Sequence, residues 1–297
     1  MPRLRQPVVP HLLVPLVHVP LLLVLLACGC AREAGPGPRA RDGAVVVELL
    51  TAEKAAVPGR ILTLGWRFRI DAGWHLYWHG VSDTGVPPSV ALTLPAGWEA
   101  GPLRWPAPSR HVSPGDILDH VYVGEVVLLQ TVRVAADAPL GGFAEIRARL
   151  DWLACSQNCA PGSAELVLSL PVERHAGPTP DADAITRIYQ SLPQPLPEGL
   201  ATVALTGTEL SVAVPGAERL EFYPLDSGGP LLFAPLVAPL ADAAAAGGTL
   251  RLRLRERDGQ VGPVRGILYV RSGDGAARSY EMNVAAAPVA ASPKEGP

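Results

Sequence analysis

Along much of the chain, apolar and polar residues take turns with a period of two. Ala144, Ile146, Ala148, Leu150 and Trp152 alternate with Glu145, Arg147, Arg149 and Asp151, and Leu166, Leu168 and Leu170 resume the pattern after a break. Successive side chains of a strand point to opposite faces, so this is the signature of strands with one face buried. "ILTLGWRFRI" puts Leu62, Leu64, Trp66, Phe68 and Ile70 on one face, and "AVVVELLT", "SVALTLP" and "EVVLLQTVRV" read the same way. Half a dozen strands or more are expected between Ala44 and Val172, with no helical spacing among them. An all-β segment this dense in turns builds a sandwich or a barrel. All the tryptophans (Trp66, Trp74, Trp78, Trp98, Trp105 and Trp152) fall here, and most of them are expected to pack in the core.

"ERHAGPTPDADAITRIYQSLPQPLPEG" then interrupts the alternation, with prolines on both sides of one short helix expected near Asp183 to Ser191. It divides the chain into a first domain over 43–174, a linker over 175–198 and a second, smaller β-rich domain over 199–288, leaving 289–297 as a disordered tail. "ATVALTG", "ELSVAV", "RLEFYPL", "GTLRLRLRER", "VRGILYVRS" and "SYEMNVAA" supply the strands of the second domain, which has no cysteine, histidine or tryptophan. Its expected role is scaffold or partner docking.

Cys155 and Cys159 fall in the break between the two alternating runs. On a straight strand, four steps of about 3.3 Å would hold their α-carbons roughly 13 Å apart, whereas a disulfide tolerates ~4.4–6.8 Å. The chain must therefore turn at Ser156-Gln157-Asn158 if the thiols are to meet. Asn tolerates the left-handed conformation, and Pro161-Gly162 is a second turn signal.

The N-terminus changes how these cysteines are read. Arg3 and Arg5 precede an apolar run from Leu12 to Ala27, broken by Pro15, His18 and Pro20 and ending in "LLACGC". The run is short and interrupted for a membrane span and reads as an export leader over 1–27. Leu25-Leu26-Ala27-Cys28 resembles the bacterial lipoprotein signal, so lipidation is expected at Cys28, with Cys30 the competing site. Ordinary secretory cleavage and an uncleaved anchor are the alternatives. Residues 28–42 lack apolar periodicity and are read as a flexible tether. The chain is accordingly expected in the periplasm, lipid-anchored to a bacterial membrane, an oxidising setting in which Cys155 and Cys159 are each other's expected partners beyond the anchor.

Composition adds exclusions. The chain has 297 residues, 48% of them hydrophobic, and its 32 prolines and 30 glycines are spread along its length, which suits two domains of short strands. The net charge of −3 falls by two more with a leader carrying Arg3 and Arg5, and no basic stripe remains to bind nucleic acid. Gly-x-Ser-x-Gly, His-Glu-x-x-His and phosphate-cradling glycine loops are all absent.

Three uses of the cysteine pair stay open on the residues alone. A disulfide enclosing three residues removes little loop entropy, and so short a ring is prone to strain, which tilts toward thiol–disulfide exchange. An inert bridge is the second use. The third is a metal site: two thiolates with an imidazole from His75, His79, His111 or His120 suit Cu(I), and copper-delivery proteins of the Sco type carry a Cys-x3-Cys pair too. Those proteins are thioredoxin-like, and no βαβ pattern surrounds Cys155. No cofactor and no metal are expected.

A resemblance bears on this choice. Gly73-Trp74-His75, Gly85-Val86-Pro87, Trp105-Pro106-Ala107-Pro108, Tyr122-Val123-Gly124-Glu125 and the run from Trp152 to Gly162, in this order between Val45 and Val172, resemble the N-terminal periplasmic domain of the thiol:disulfide interchange protein DsbD family. The branch of the suppressor of copper sensitivity protein ScsB is nearest, and "LEFYPLD" in the second domain resembles the extra domain of that branch. The resemblance implies an immunoglobulin-like β-sandwich whose cysteine pair takes electrons from a membrane-embedded donor and passes them to periplasmic thioredoxin-like or disulfide proteins. It implies Cys159 as the sulfur that forms mixed disulfides and Cys155 as the resolving sulfur. It also implies a loop capping the pair, whose counterpart by order is His111 to Tyr122, with His111, Ile117, Leu118, Asp119, His120 and Tyr122 as its site residues. Two departures stand out. DsbD spaces its cysteines by five residues and this chain by three, and the electron conduit and thioredoxin domain of the full-length proteins are not in this sequence. The donor is accordingly expected on a separate chain, and a copper-binding or protein-interaction module with an inert disulfide is the alternative.

Overall fold

The computed structural model describes residues 36–115, 117–225, 248–254, 260–261, 263–285 and 287–288. The expected leader, Cys28, Cys30 and the expected tail lie outside the described residues.

Two sheets make the first domain. The strands are β1 (Arg39–Asp42), β2 (Val45–Thr51), β3 (Ile61–Ile70), β4 (His75–Tyr77), β5 (Ser89–Thr93), β6 (Glu99–Arg104), β7 (Ser109–Ser113), β8 (Ile117–Tyr122), β9 (Glu125–Arg133), β10 (Phe143–Cys155) and β11 (Cys159–Pro171). One sheet runs β1-β2-β3-β9-β6, and the other runs β11-β10-β4-β8-β7 with β5 added on β10. The alternation fixes what lies between them: Leu62, Leu64, Trp66 and Phe68 meet Ile146, Ala148, Leu150 and Trp152 in one buried core, and Phe68 touches Trp152 edge-on across the sheets at 6.1 Å. The polar groups in that core are partnered, since the Trp66 indole N–H donates to Gln130 and the Gln130 amide donates to the Gly101 carbonyl. Of the sandwich or barrel that the strand pattern left open, this is the sandwich, in the immunoglobulin-like form that the resemblance implied. Arg39–Asp42, which composition placed in the tether, forms edge strand β1, and its Asp42 carboxylate accepts from the Ser163 amide at 2.9 Å.

The hairpin that carries the cysteines is paired along its whole length. β10 and β11 run in unbroken antiparallel register from Phe143 opposite Pro171 to Cys155 opposite Cys159. Trp152 faces Gly162 in that register, and a Cβ on Gly162 would lie 2.4 Å from the indole nitrogen, so the residue beneath the ring has to be glycine. Two long strands in one register make a rigid arm, and the bridge sits at its tip.

A helix, α1 (Ala182–Ser191), packs on the outer face of the first sheet, where Ile185 is buried against Leu50, Val127, Leu129 and Leu192. Arg67 holds the start of that helix through Asp181 at 2.8 Å while also pairing with Glu48 at 3.1 Å. Beyond it come β12 (Gln194–Pro195), β13 (Thr202–Thr206), β14 (Glu209–Ala213), β15 (Ala217–Pro224), β16 (Thr249–Arg253), β17 (Gln260–Val261), β18 (Val264–Ser272), β19 (Ala277–Val284) and β20 (Ala287–Pro288). They form sheets β12-β19-β18-β15 and β13-β14-β16 with a small β17-β20 ribbon, around a core of Leu210, Val212, Phe222, Leu250, Leu252 and Leu268. The two cores trade side chains. Leu118 of β8 belongs to the second core, whereas Tyr223 and Ile267 belong to the first. Each domain thus buries apolar surface that the other would leave wet.

Candidate functional site

Cys155 ends β10 and Cys159 begins β11, and they are bonded to each other with α-carbons 4.0 Å apart. The turn between them is closed by the Ser156 amide donating to the Asn158 carbonyl at 3.0 Å. The two sulfurs sit in unlike surroundings. Cys155 is 2% exposed and packs with Tyr77, Val121 and Leu153, whereas Cys159 is on the surface. The asymmetry follows from position in the sheet: β10 is flanked by β11 and β4, while β11 is a margin of the hydrogen-bonded sheet.

On the other side, β4 brings His75 directly opposite Cys155. Directly opposed residues of an antiparallel pair project on the same face with Cβ atoms about 5 Å apart, so Cys159, Cys155 and His75 form a row across three strands. His75 is 7% exposed, its Nε2 has no hydrogen-bond partner, and its ring stands 5.2 Å from Tyr77 and 4.8 Å from His111. Burial pushes its pKa below the ordinary histidine value, His111 adds to that, and Asp119 opposes it. The imidazole beside the bridge is therefore neutral at pH 7.

Strand alternation divides the expected cap. His111 opposes Asp119 and Ser113 opposes Ile117 on β7–β8, while Tyr77 opposes Val121 on β4–β8. Odd-numbered residues of β8 therefore share the face of His75 and Cys155, and even-numbered ones take the other face. His111, Ile117 and Asp119 stand with Val121 on the face of the bridge. Leu118, His120 and Tyr122 do not: Leu118 enters the second core, the Tyr122 hydroxyl donates to the Pro106 carbonyl at 2.6 Å, and the His120 ring lies 5.9 Å from Trp78 and 5.2 Å from Tyr223. His120 Nδ1 is 2.6 Å from the Val81 carbonyl, and burial is the main cause lowering its pKa. The fourth candidate imidazole, His79, stacks on Trp105 at 4.6 Å and stands edge-on to Trp78 at 4.8 Å. Among the described residues, no group of three or more His, Cys, Asp or Glu is disposed to hold a metal ion.

A second segment closes over the site, and its role was not read from the sequence. Residues 81–85 run along β8: the Asp83 amide donates to the Leu118 carbonyl, the Leu118 amide to the Asp83 carboxylate, and Thr84 donates twice to Asp119 at 2.8 and 2.7 Å. Gly85 follows at φ +82°, lying against Tyr77 so closely that a Cβ would meet the ring at 2.2 Å. Tyr77 in turn packs on Cys155. The Gly85-Val86-Pro87 motif thus reaches the bridge through one aromatic ring. A glycine before Val-Pro signals a turn; that the turn presses on Tyr77 depends on a contact between distant strands, which spacing cannot supply.

Comparison with known proteins agrees with this architecture. Residues 46–171 match the family described as thiol:disulfide interchange protein DsbD, N-terminal, and this segment belongs to that family. The N-terminal periplasmic domain of ScsB from Proteus mirabilis superposes with a TM-score of 0.58 at 15% identity, covering 83% of this chain and 97% of that one. Both domains are therefore included in the shared fold. The reduced DsbD N-terminal domain of Neisseria meningitidis gives a TM-score of 0.26 at 16% identity, over 44% of this chain and 89% of that one. No curated protein matches the chain. Among the described residues, no helix is long and apolar enough to cross a membrane.

Proposed function

We propose that the chain is a periplasmic, lipid-anchored thiol–disulfide exchange module that relays electrons through Cys155 and Cys159 between a donor on a separate chain and periplasmic thioredoxin-like or disulfide proteins. The observation that carries the reading is the unequal exposure of the two sulfurs at the tip of a rigid hairpin. Exchange requires a thiolate to approach one sulfur in line with the bond, and the exposed Cys159 admits that approach.

A donor thiolate attacks Cys159, its sulfur bonds to Cys159, and the electron pair of the broken bond leaves on Cys155. A thiolate in the pocket of Tyr77, Val121 and Leu153 is disfavoured by desolvation, so Cys155 takes up a proton as it leaves. His75, opposite it in register, is the polar group on that face with a free nitrogen to hydrogen-bond the departing sulfur. The donor's second thiol then attacks the mixed disulfide. Its own pair becomes a disulfide and Cys159 is released as a thiolate. The reverse sequence reduces an acceptor disulfide. Tyr77 and Val121, with Ile117 and His111 beyond them on the same face, form the cap that shields Cys155 from unintended partners.

Trapping tests the assignment. Cys155→Ser should accumulate mixed disulfides through Cys159, and Cys159→Ser far fewer; equal trapping by both would refute it. Attachment is a separate matter, resting on Leu25-Leu26-Ala27-Cys28. A radioactive fatty acid should label the protein and fail to label Cys28→Ser. Label that survives in Cys28→Ser and disappears in Cys30→Ser would move the anchor.

A further inference from the structure

Besides Val112 on β7, the large apolar side chains that the first domain exposes lie toward its two ends. Val123 and Val86 lie at the bridge end, one just past β8 and the other just past Gly85. Ile61, Leu140 and Phe143 lie at the opposite end, with exposures of 45%, 45% and 76%. Register shows that these three belong together: Ile61 opposes Arg133 at the end of β9, Phe143 opposes Pro171 at the far end of the hairpin, and the Gly141 amide donates to the Val172 carbonyl between them. The loop joining β9 to β10, "AADAPLGGF", is small or apolar except for Asp137, and a cleft of about 460 Å³ lined by Pro95, Trp98, Ala138, Pro139 and Phe143 opens beside it.

The chain enters the domain toward this same end. β1 runs toward the bridge, with Asp42 beside Ser163, while upstream the Gly37 carbonyl accepts from the Val167 amide and the Pro38 carbonyl from the Leu49 amide. Pro36 therefore points to the Phe143 end. Seven residues lie between Cys28 and Pro36, and the eight steps they make reach at most about 28 Å. We infer that the Ile61, Leu140 and Phe143 end rests on the lipid surface to which the N-terminus is attached. Arg60, Arg133 and Arg174 at this end are offset by Asp137, Glu145 and Glu173, so the contact is apolar insertion between headgroups and does not depend on anionic lipid. The hairpin then stands away from the bilayer, and its twelve steps of roughly 3.3 Å hold the bridge about 40 Å above that surface. A donor must present its thiols at that height, from a domain projecting out of the membrane or from a soluble carrier.

The inference rests on attachment through the N-terminal segment and is independent of the exchange chemistry. The full chain is held by that segment in phosphatidylcholine vesicles with or without brominated acyl chains, and tryptophan emission is compared for Phe143→Trp, Val123→Trp and the unsubstituted protein. Bromine should quench the added emission of Phe143→Trp several-fold more than that of Val123→Trp. Equal quenching at the two ends, or none at either, overturns the inference. Loss of thiol exchange in Cys155→Ser with the quenching pattern unchanged would separate the two readings.

Discussion

Gly85 lies against the Tyr77 ring, and that ring packs on Cys155, so the glycine reaches a sulfur it does not touch. Its φ of +82° lies where a Cβ is strained, and the Cβ would overlap the Tyr77 ring at 2.2 Å. Left-handed backbone alone costs an L-residue about 1–2 kcal/mol, and the overlap adds to it. Gly85→Ala should therefore destabilise the domain by about 2 kcal/mol or more and move Tyr77 off Cys155. In the reduced protein the expected result is faster alkylation of Cys155, read by mass spectrometry, with little change at Cys159. An unaltered Cys155 rate would remove Tyr77 from the shield. Of the site's residues, the cysteines were legible because thiols four apart in a broken strand have few uses, and exchange was only one of those left open. The unequal exposure was not legible. It comes from β4 lying beside β10, a pairing between segments about eighty positions apart.

β8 shows where strand logic succeeds and where it needs the fold. Its pattern, Ile-Leu-Asp-His-Val-Tyr, is a strand by composition, yet all but Ile117 are buried, so burial does not say which face meets the bridge. The register with β4 decides it. Ile117 and Leu118, joined in the sequence as one cap, therefore separate in effect. Ile117→Gly should speed alkylation of reduced Cys155 while costing little stability. Leu118→Ala removes a side chain from the second core and should cost about 2–5 kcal/mol in denaturant titration without changing that rate. The opposite pattern would mean that β8 covers the bridge with its other face. The β10–β11 hairpin was more readable, because each strand carries a long alternation and the turn residues lie between them. α1 was visible in its proline-flanked segment, but its seat on Leu50, Val127 and Leu129 was not, since the apolar second face of β2 and β9 calls for a cover without saying which element supplies it.

Across the whole molecule, the all-β class and the second β-rich domain could be read from alternation and turn density, while the choice of sandwich over barrel came from the family resemblance. What the sequence hides is how the domains share their cores: Leu118, Tyr223 and Ile267 are ordinary apolar residues in their own strands, and only the folded chain sends them across the seam. The second domain carries no thiol, and it meets the bridge-side sheet through β8, where Leu118 enters its core and His120 lies against Tyr223. The central claim, that Cys155 and Cys159 exchange with partner thiols, is tested most directly by the reduction potential of the purified protein in glutathione buffers. A bridge enclosing three residues gains little from loop entropy, so the potential should lie at or above about −250 mV, among exchanging pairs. A potential below roughly −300 mV would place it with structural disulfides and contradict the claim.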